Sequence, residues 1–275
     1  MRNMFQLARL LAAVLLFLFQ AGGVSDEIRV VSLSPSLTEL VFQLGRGRLL
    51  VGRSSACDYP AEAVKLPVAG GFADPDLERV LKLRPTLVIT NDLRNPGKGK
   101  ALERAGIRFE RMQCRNMDEY VRWVELLGRL LDCPDAAAAE IARVGKKLDE
   151  FRIRAEKISP KKKICWVIWD APLMIAGGGS LPETVIRYAG GINLAQGLKP
   201  EYITASKDWL IKNQPDVLVW TCSRPLNRKD RFWEALKAVR EGAVVHAPDS
   251  SVLQRPGPRL PDGIQWLKNE LEKIR

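Results

Sequence analysis

The chain has 275 residues, of which 46% are apolar, and it carries a formal net charge of +11. This length can hold two domains, and the apolar share is that of a globular protein, which excludes a disordered chain. The basic balance raises the question of nucleic acid, but the lysines and arginines are scattered along predicted helices apart from residues 161–163. Because zinc-finger spacing and aromatic-basic patterns are also missing from the sequence, we predict no nucleic-acid partner.

Residues 1–23 have the composition of a secretory signal peptide. Two arginines precede the apolar run LLAAVLLFLF, and the small residues of QAGG follow it. The run is much shorter than the roughly 20 residues that span a membrane, which favours a cleaved signal over an anchor. Ala21 and Gly23 are the small residues expected just before the cleavage site. The first cysteine, Cys57, lies far from that site, so we expect a soluble periplasmic protein and not a lipoprotein.

The cysteines show no metal-binding or redox spacing. The chain has 5 of them: Cys57, Cys114, Cys133, Cys165 and Cys222. An oxidising compartment permits disulfides, but an odd number leaves at least one thiol unpaired, and the sequence leaves the pairing open. Cys165 lies in an apolar segment and is expected to be a buried structural thiol. We predict no metal site and no cofactor.

Residues 24–132 alternate between predicted strands and helices. In chain order these are the strand 28–34, the helix 36–45, the strand 49–54, the short helix 76–84, the strand 86–90, the helix ALERAG, the strand IRFERM and the helix 117–131. Ser36 and Glu39 have the spacing of a capping box at the start of the first helix. Alternation of this kind predicts parallel strands joined by helical crossovers.

Residues 133–158 are predicted to form one long helix. Helix-forming residues fill the segment, Pro134 suits a first helical turn, and Asp135 suits the positive end of the helix dipole. A helix of this length reaches on the order of 35 Å, which is long for a crossover within a small lobe. We expect it to join two lobes.

Residues 159–275 repeat the order of the first half. They read as the strand ICWVIWD, a glycine-rich loop, a helix with a second capping box at Ser180 and Glu183, a short helix, the strand DVLVW, a helix near DRFWEALKAV, the strand GAVVHA, a loop over 248–263 and a terminal helix. The predicted fold is therefore α/β, with two similar lobes of parallel-rich sheets flanked by helices and joined by the long helix.

The residues needed for catalysis are few. His246 is the only histidine and lies in an apolar strand, where a structural role is the default. No serine lies in a G-x-S-x-G turn, and AGGGS lacks the lysine and spacing of a phosphate-binding loop. We therefore predict a binding protein and not an enzyme. A periplasmic hydrolase is the alternative, and it would need a nucleophile beside His246.

One pattern occurs twice. In DLERVLKLRP and in SKDWLIKNQP a carboxylate, Glu78 or Asp208, stands seven positions before a proline, Pro85 or Pro215. An apolar strand follows each proline.

The sequence resembles the periplasmic binding proteins of cobalamin and iron-siderophore ABC importers, and it is most similar to the cobalamin-binding branch. The resemblance covers the mature chain and rests on RVVSLSPSLTELVFQLG, VGRSSACDYP, DLERVLKLRPTLVIT, the long helix, SLPETVIRYAGGINLA, DWLIKNQPDVLVW and RPGPRL. It implies a monomer with two lobes that face each other across a cleft, and a long helix that limits hinge motion.

The resemblance also implies that Glu78 and Asp208 lie at the lobe tips and meet arginines of the membrane permease. Two charges on separate lobes would give a two-point dock that steers encounter. The alternative is that each acid merely caps its own short helix. Asp208 is one methylene shorter than the glutamate usual in the family.

The ligand-binding residues that the resemblance implies lie at strand ends and in loops: Ser34, Pro35, Ser55, Ala56, Tyr59, Phe72, Asn91, Trp169, Met174, Tyr202, Arg224 and Arg255. Ala56 and Asn91 stand where the cobalamin binders often have aromatics, and Phe72 stands where tryptophan is frequent. Phe72, Tyr59, Trp169, Met174 and Tyr202 could form the apolar walls that a large planar ligand needs.

The leading hypothesis is an extracytoplasmic receptor that captures a corrinoid between its lobes and delivers it to an ABC importer. The alternative ligand is an iron-siderophore or haem. Ferric siderophores are often anionic, so a cleft lined by Arg53, Arg224 or Arg255 would favour them.

Overall fold

The computed structural model describes residues 28–247 and 250–274. The predicted signal peptide, residues 1–23, lies outside the described residues. Within the described ranges no helix combines the length and the apolarity needed to cross a membrane.

The N-terminal half forms a four-stranded sheet in which every neighbouring pair is parallel. Its strands, in the order β2-β1-β5-β6, are β1 Val30–Ser32, β2 Leu50–Arg53, β5 Leu87–Thr90 and β6 Arg108–Arg111. A small hairpin of β3 Gly70–Gly71 and β4 Asp74–Pro75 stands beside the sheet. The helices are α1 Pro35–Gln43, α2 Ala61–Val64, α3 Leu77–Lys82, α4 Pro96–Arg104 and α5 Met117–Leu130.

The first predicted capping box is wrong. The helix α1 begins at Pro35, with Ser34 as its cap residue in an extended conformation, and no side chain caps it. Proline is favoured at the first helical position because it has no N–H to satisfy, so it starts the helix one residue early and draws Ser36 into the first turn. The Glu39 carboxylate instead accepts two hydrogen bonds from Arg259, at 2.8 and 2.7 Å.

The second capping box is confirmed. The Ser180 hydroxyl accepts a hydrogen bond from the Glu183 N–H at 3.3 Å, and the Glu183 carboxylate accepts one from the Gly179 N–H.

The long helix α6 runs over Pro134–Glu156. It packs against α5 of the first half and against α7 (Leu181–Tyr188) and α12 (Leu260–Lys273) of the second half. Its buried Val144 and Phe151 belong to an apolar cluster that also contains side chains of both sheets. The helix therefore shares one core with both halves.

The second half forms a mixed sheet. Its strands are β7 Lys163–Asp170, β8 Leu173–Ala176, β9 Ile192–Asn193, β10 Tyr202–Thr204, β11 Val217–Trp220 and β12 Val244–His246. The strands β7, β11 and β12 are parallel neighbours. At one edge of the sheet, β8 pairs antiparallel with β7, and β10 pairs antiparallel with β8. The remaining helices are α8 Lys207–Asn213, α9 Arg231–Glu234, α10 Lys237–Arg240 and α11 Ser250–Gln254. The α/β architecture with two similar, parallel-rich sheets is confirmed.

Two local expectations in the second half are wrong. The segment 248–263 is not wholly a loop, since it contains α11 and the start of α12 at Leu260. Proline at the second position of α12, Pro261, allows that helix to begin before the apolar run that suggested its start.

All 5 cysteines lie in the described ranges and are free thiols, and Cys165 is buried as predicted. Burial raises the pKa of the Cys114 and Cys165 thiols to about 12.

Candidate ligand cavity and lobe tips

A cavity of about 510 Å³ opens where the parallel strands of the N-terminal sheet end. Ligands bind beyond the carboxyl ends of the strands in open α/β sheets, because the loops that leave those ends converge there. Five of the predicted ligand-binding residues line the cavity: Pro35, Ala56, Phe72, Asn91 and Arg255. Arg255 follows α11, so the cavity joins the N-terminal lobe to a segment from the far end of the chain.

Asn91 carries the cavity's unsatisfied polar atom. Its amide Nδ2 donates to the Ser36 hydroxyl at 2.8 Å, and its backbone N–H donates to the Ser34 hydroxyl at 2.8 Å. Its buried Oδ1 has no hydrogen-bond partner among the described residues. A buried acceptor without a partner is costly, so a ligand that donates a hydrogen bond to Oδ1 when the side chain turns toward the cavity would gain affinity. Ser34 is fully buried and positions Asn91 without lining the cavity.

The other polar groups of the cavity are a mixture of neutral and charged side chains. Gln113 and Gln254 add two carboxamides to that of Asn91, and Asp92 and Arg115 add one charge of each sign. None of these four lining residues was predicted from the sequence. Gln113 and Asp92 stand two residues after the ends of the strands β6 and β5. Polar residues just after parallel strands are common ligand contacts, so this position was the sequence signal for both.

Both cavity arginines are engaged by carboxylates of the chain itself. Arg255 lies 2.8 Å from Asp58 and 3.6 Å from Glu39. Arg115 pairs with Glu119 at 3.1 Å, and this hydrogen bond raises the pKa of the Arg115 guanidinium. An anionic ligand would have to compete with these carboxylates.

Arg53 does not line the cleft. It is buried and donates to the backbone carbonyls of Ser54 and Val64, at 3.0 and 2.9 Å. The expectation that Arg53 attracts an anionic ligand is therefore wrong, because its strand position turns the guanidinium into the lobe.

The predicted aromatic Tyr59 lies outside this cavity. The guanidinium carbon of Arg259 lies 3.9 Å from the centre of its ring, while 47% of the tyrosine remains exposed. Ser55 lines a separate, more open cavity beside the β3–β4 hairpin.

Three predicted residues of the second lobe share one face of its sheet. Trp169 and Met174 are direct cross-strand partners, and Tyr202 pairs with Ala176, two residues along the same strand as Met174. Opposed residues of an antiparallel pair project to the same side, as do residues two apart on one strand. Trp169 and Tyr202 are 45% and 44% exposed. The face is an accessible aromatic surface that does not line the 510 Å³ cavity.

A second cavity of about 400 Å³ lies at the carboxyl ends of β11 and β12. It contains Arg224, whose guanidinium lies 2.8 Å from Asp170, and the exposed ring of His246. Partial burial of the imidazole and the nearby Arg228 lower the pKa of His246. Both sheets therefore present a cavity at their carboxyl edges.

Glu78 and Asp208 occupy equivalent positions at the second residue of α3 and α8. The alternative that these acids cap their helices is contradicted. The caps are Asp76, which accepts from Arg79 N–H at 3.1 Å, and Ser206, which accepts from Trp209 N–H at 3.1 Å. Glu78 is 77% exposed in its side chain and pairs with Lys82 at 2.5 Å.

Comparison with known proteins gives consistent matches over most of the chain. Residues 30–251 match the sequence model of a family described as Periplasmic binding protein. The Vitamin B12-binding protein of Vibrio vulnificus (strain CMCP6) is 26% identical over 261 residues, covering 89% of this chain and 90% of that protein. The structure of the periplasmic haem-binding protein BhuT with two haems is 25% identical, with a TM-score of 0.79, and covers 90% of this chain and 98% of that chain. A periplasmic haem-binding protein from Pseudomonas aeruginosa is 28% identical, with a TM-score of 0.73 and coverage of 87% and 91%.

Proposed function

This chain is a member of the periplasmic binding protein family, and from that premise we propose that it captures a corrinoid between its lobes and delivers it to an ABC importer. The observation that carries the proposal is the cavity at the carboxyl edge of the N-terminal sheet. Its polar lining contains three carboxamides, a hydroxyl and the acid Asp92, and its two arginines already have carboxylate partners.

The three carboxamides, together with arginines that are already paired, favour a corrinoid over an anionic ligand. The rim of a corrin ring carries carboxamide side chains, which both donate and accept hydrogen bonds, whereas haem carries propionates and ferric siderophores are often anionic. Asn91 Oδ1, which has no hydrogen-bond partner among the described residues, supplies an acceptor for a carboxamide N–H once the side chain turns toward the cavity. Phe72 at the hairpin tip and the pair Trp169 and Tyr202 on the opposite lobe supply exposed aromatic surface for a flat macrocycle. The name of the Vibrio vulnificus relative supports the same ligand.

We also propose how the protein is exported, where it works and how its chain divides into lobes. Residues 1–23 act as a cleaved signal peptide, and the mature chain works in the periplasm as a monomer without a lipid anchor. Residues 24–132 and 159–275 act as the two lobes, joined by the helix within 133–158. The cycle contains no catalytic step, and turnover of generic esters that is lost in His246→Ala would contradict this part.

Isothermal titration of the mature chain with cyanocobalamin tests the ligand. We expect one site per chain at micromolar protein. Asn91→Leu removes the polar anchor at nearly constant volume and should weaken binding about 5- to 30-fold, the effect of roughly 1–2 kcal/mol. Asn269→Leu, the same substitution at an exposed site on α12, is the matched control. No heat with cyanocobalamin, together with binding of a ferric hydroxamate, would overturn the corrinoid proposal.

Haem is the second candidate ligand. It is favoured by the two haem-binding proteins of known structure that share this fold at 25% and 28% identity. Titration with haemin, followed by the Soret absorption band, separates the two ligands. A corrinoid receptor should bind haemin more weakly than cyanocobalamin, and the reverse order would establish haem in its place.

We further propose that Glu78 and Asp208 dock the loaded protein to the importer permease. Both acids are exposed and stand at the same position of equivalent helices, so the two lobes present matched negative charges. In cells that depend on this chain, Glu78→Ala and Asp208→Ala should reduce uptake of labelled cyanocobalamin while leaving its affinity unchanged. Glu62→Ala is the matched control, since Glu62 is also exposed at the second residue of a short helix but has no counterpart in the other lobe. Full uptake in both docking variants would refute the docking role.

A further inference from the structure

The helices α3 and α8 match residue by residue, beyond the two acids. Each has one fully buried aliphatic at the same position, Val80 in α3 and Leu210 in α8. Each is followed by a non-glycine residue with positive φ directly before a proline, Arg84 at 46° and Gln214 at 39°. The left-handed conformation is uncommon for such residues, so its occurrence at both positions shows that the two turns have the same geometry.

Both helices also expose a large aliphatic side chain at one equivalent position. Leu81 is 48% exposed and Ile211 is 38% exposed. A single exposed leucine needs no explanation, because much of any protein surface is apolar. Here the inward-facing aliphatic of each helix already anchors it to its lobe, so the second one is not needed for packing. Its presence at the same position in two lobes of different sequence points to a shared contact.

The exposed aliphatic stands three residues after the acid in each helix. Residues three and four apart lie on the same face of a helix, so Leu81 is adjacent to Glu78, and Ile211 is adjacent to Asp208. A lysine follows one position later in both, Lys82 and Lys212. Each lobe therefore carries a patch made of a carboxylate, an aliphatic side chain and a lysine.

The two patches occupy equivalent places in the fold. Each helix leads through a proline turn into the strand that lies next to the first strand of its sheet, β5 beside β1 and β11 beside β7. The helix thus returns antiparallel to that strand, and its first turn faces the carboxyl edge, where the cavities open. For α3, two backbone hydrogen bonds place the start of the helix at the carboxyl edge of the sheet. The N–H of its cap residue Asp76 donates to Ala69 O, and the Ala69 N–H donates to the carbonyl of Arg53, the last residue of β2.

We propose that Leu81 and Ile211 are the apolar anchors of the docking surface, and that the partner presents the same socket twice: a basic group beside an apolar hollow. Since the proposed partner is the importer permease, two copies of one socket correspond to a permease built as a symmetric homodimer. The basic group of the socket follows from charge complementarity, because an acid stands beside each anchor. Acids are the minority charge in this chain, which has 43 basic and 32 acidic residues, so their presence at both positions is informative. This inference rests on the proposed docking role of the two acids.

The aliphatic contacts supply what exposed acids cannot. Charges at a rim mainly accelerate encounter and are screened by salt, whereas a buried aliphatic side chain slows dissociation. Glu78 is also held by Lys82 in the unbound protein and must exchange that partner on docking. The anchors therefore add salt-independent affinity at both contacts.

In-cell photocrosslinking tests the sockets without knowledge of the ligand. A benzophenone amino acid is placed at position 81 or at position 211 of the full chain, and the crosslinked peptides are identified by mass spectrometry. We expect both positions to label the same segment of one integral membrane polypeptide, and the label to disappear with Glu78→Ala and Asp208→Ala. Labelling of two different polypeptides, of a second copy of this chain, or of none would overturn the proposal.

Uptake of labelled cyanocobalamin tests the anchors. Leu81→Asn and Ile211→Asn should each reduce uptake about fivefold to tenfold at low ligand concentration, from burial of about half an aliphatic side chain, with ligand affinity unchanged. Ile153→Asn on α6, where the side chain is 47% exposed, is the matched control and should have no effect. Full uptake by both anchor variants, with uptake lost in Glu78→Ala, would refute the anchors and leave docking by the acids standing. Full uptake by the acid variants as well would refute both.

Discussion

Replacing Glu140 by leucine removes an acceptor on which side chains from the helices α1, α5 and α6 converge. Its buried carboxylate accepts hydrogen bonds from Gln43 at 3.0 Å, from the Tyr120 hydroxyl at 2.7 Å and from two nitrogens of Arg143 at 2.7 and 2.9 Å. Arg143 also donates to Pro258 O at 2.7 Å. The carboxylate therefore connects α1, α5 and α6 to the segment that follows the cavity wall.

The expected cost follows from the groups left behind. The Tyr120 hydroxyl would be buried without its acceptor, at about 1–3 kcal/mol. Removing one partner of a fully buried ion pair costs about 3–5 kcal/mol. The cost of leaving Arg143 unpaired is smaller, because its side chain is 37% exposed and keeps its hydrogen bond to Pro258 O. We expect a total of about 3–4 kcal/mol and a fall in melting temperature of about 10 °C.

Thermal unfolding followed by circular dichroism measures the effect. Asp149→Ala on the same helix is the control, since Asp149 is 69% exposed and pairs with Arg152 at 3.4 Å, and it should change stability by no more than about 0.5 kcal/mol. Adding Tyr120→Phe to the leucine variant should recover about 1 kcal/mol, because the orphaned hydroxyl is removed. A fall of only about 3 °C in Glu140→Leu, or an equal fall in the control, would refute the reasoning.

Three further outcomes are expected. Native protein at neutral pH should react with a thiol reagent at Cys222 alone, because the other four thiols are buried, and slowly, because burial raises the pKa of the Cys222 thiol to about 11. The rate should rise about tenfold per pH unit below that value, and either rapid reaction at neutral pH or reaction of a second thiol would contradict this. Gly70→Ala should lower the melting temperature more than Gly106→Ala, since both have positive φ, but a Cβ at Gly70 would meet the backbone of the β3–β4 hairpin at under 3.0 Å and one at Gly106 meets open space. Ser206→Ala removes the cap of α8 and should cost about 1 kcal/mol in denaturant unfolding, with no loss of cyanocobalamin affinity.

The sequence predicted the elements that depend on local pattern. The runs that become β1, β5 and β11 are apolar and β-branched, and they alternate with helices, so parallel pairing followed from the pattern alone. The Ser180 cap followed from the spacing of two residues. The failures arose where one residue outweighed the pattern, as Pro35 did at α1 and Pro261 did at α12.

The candidate site depended on contacts between distant residues. Phe72, Asn91 and Arg255 each looked plausible from a motif, but only folding brings a segment from the end of the chain onto the first sheet to form one cavity. Neither the pairing of Arg255 with Asp58 nor the burial of Arg53 can be predicted from local sequence, because each depends on which carboxylates and carbonyls lie within about 3 Å in space.

The sequence by itself therefore determined the longer parallel strands, the long helix and the repeated acid-to-proline spacing, because each follows from a local pattern along the chain, whereas β3, β4, β8, β9 and β10 were not predicted. Tertiary structure decided that Asp76 and Ser206 cap the repeated helices, which leaves Glu78 and Asp208 exposed beside Leu81 and Ile211. Local sequence does not decide which face of a short helix is exposed. The exposed face is the one that the rest of the lobe leaves uncovered, so it is known only from the tertiary structure.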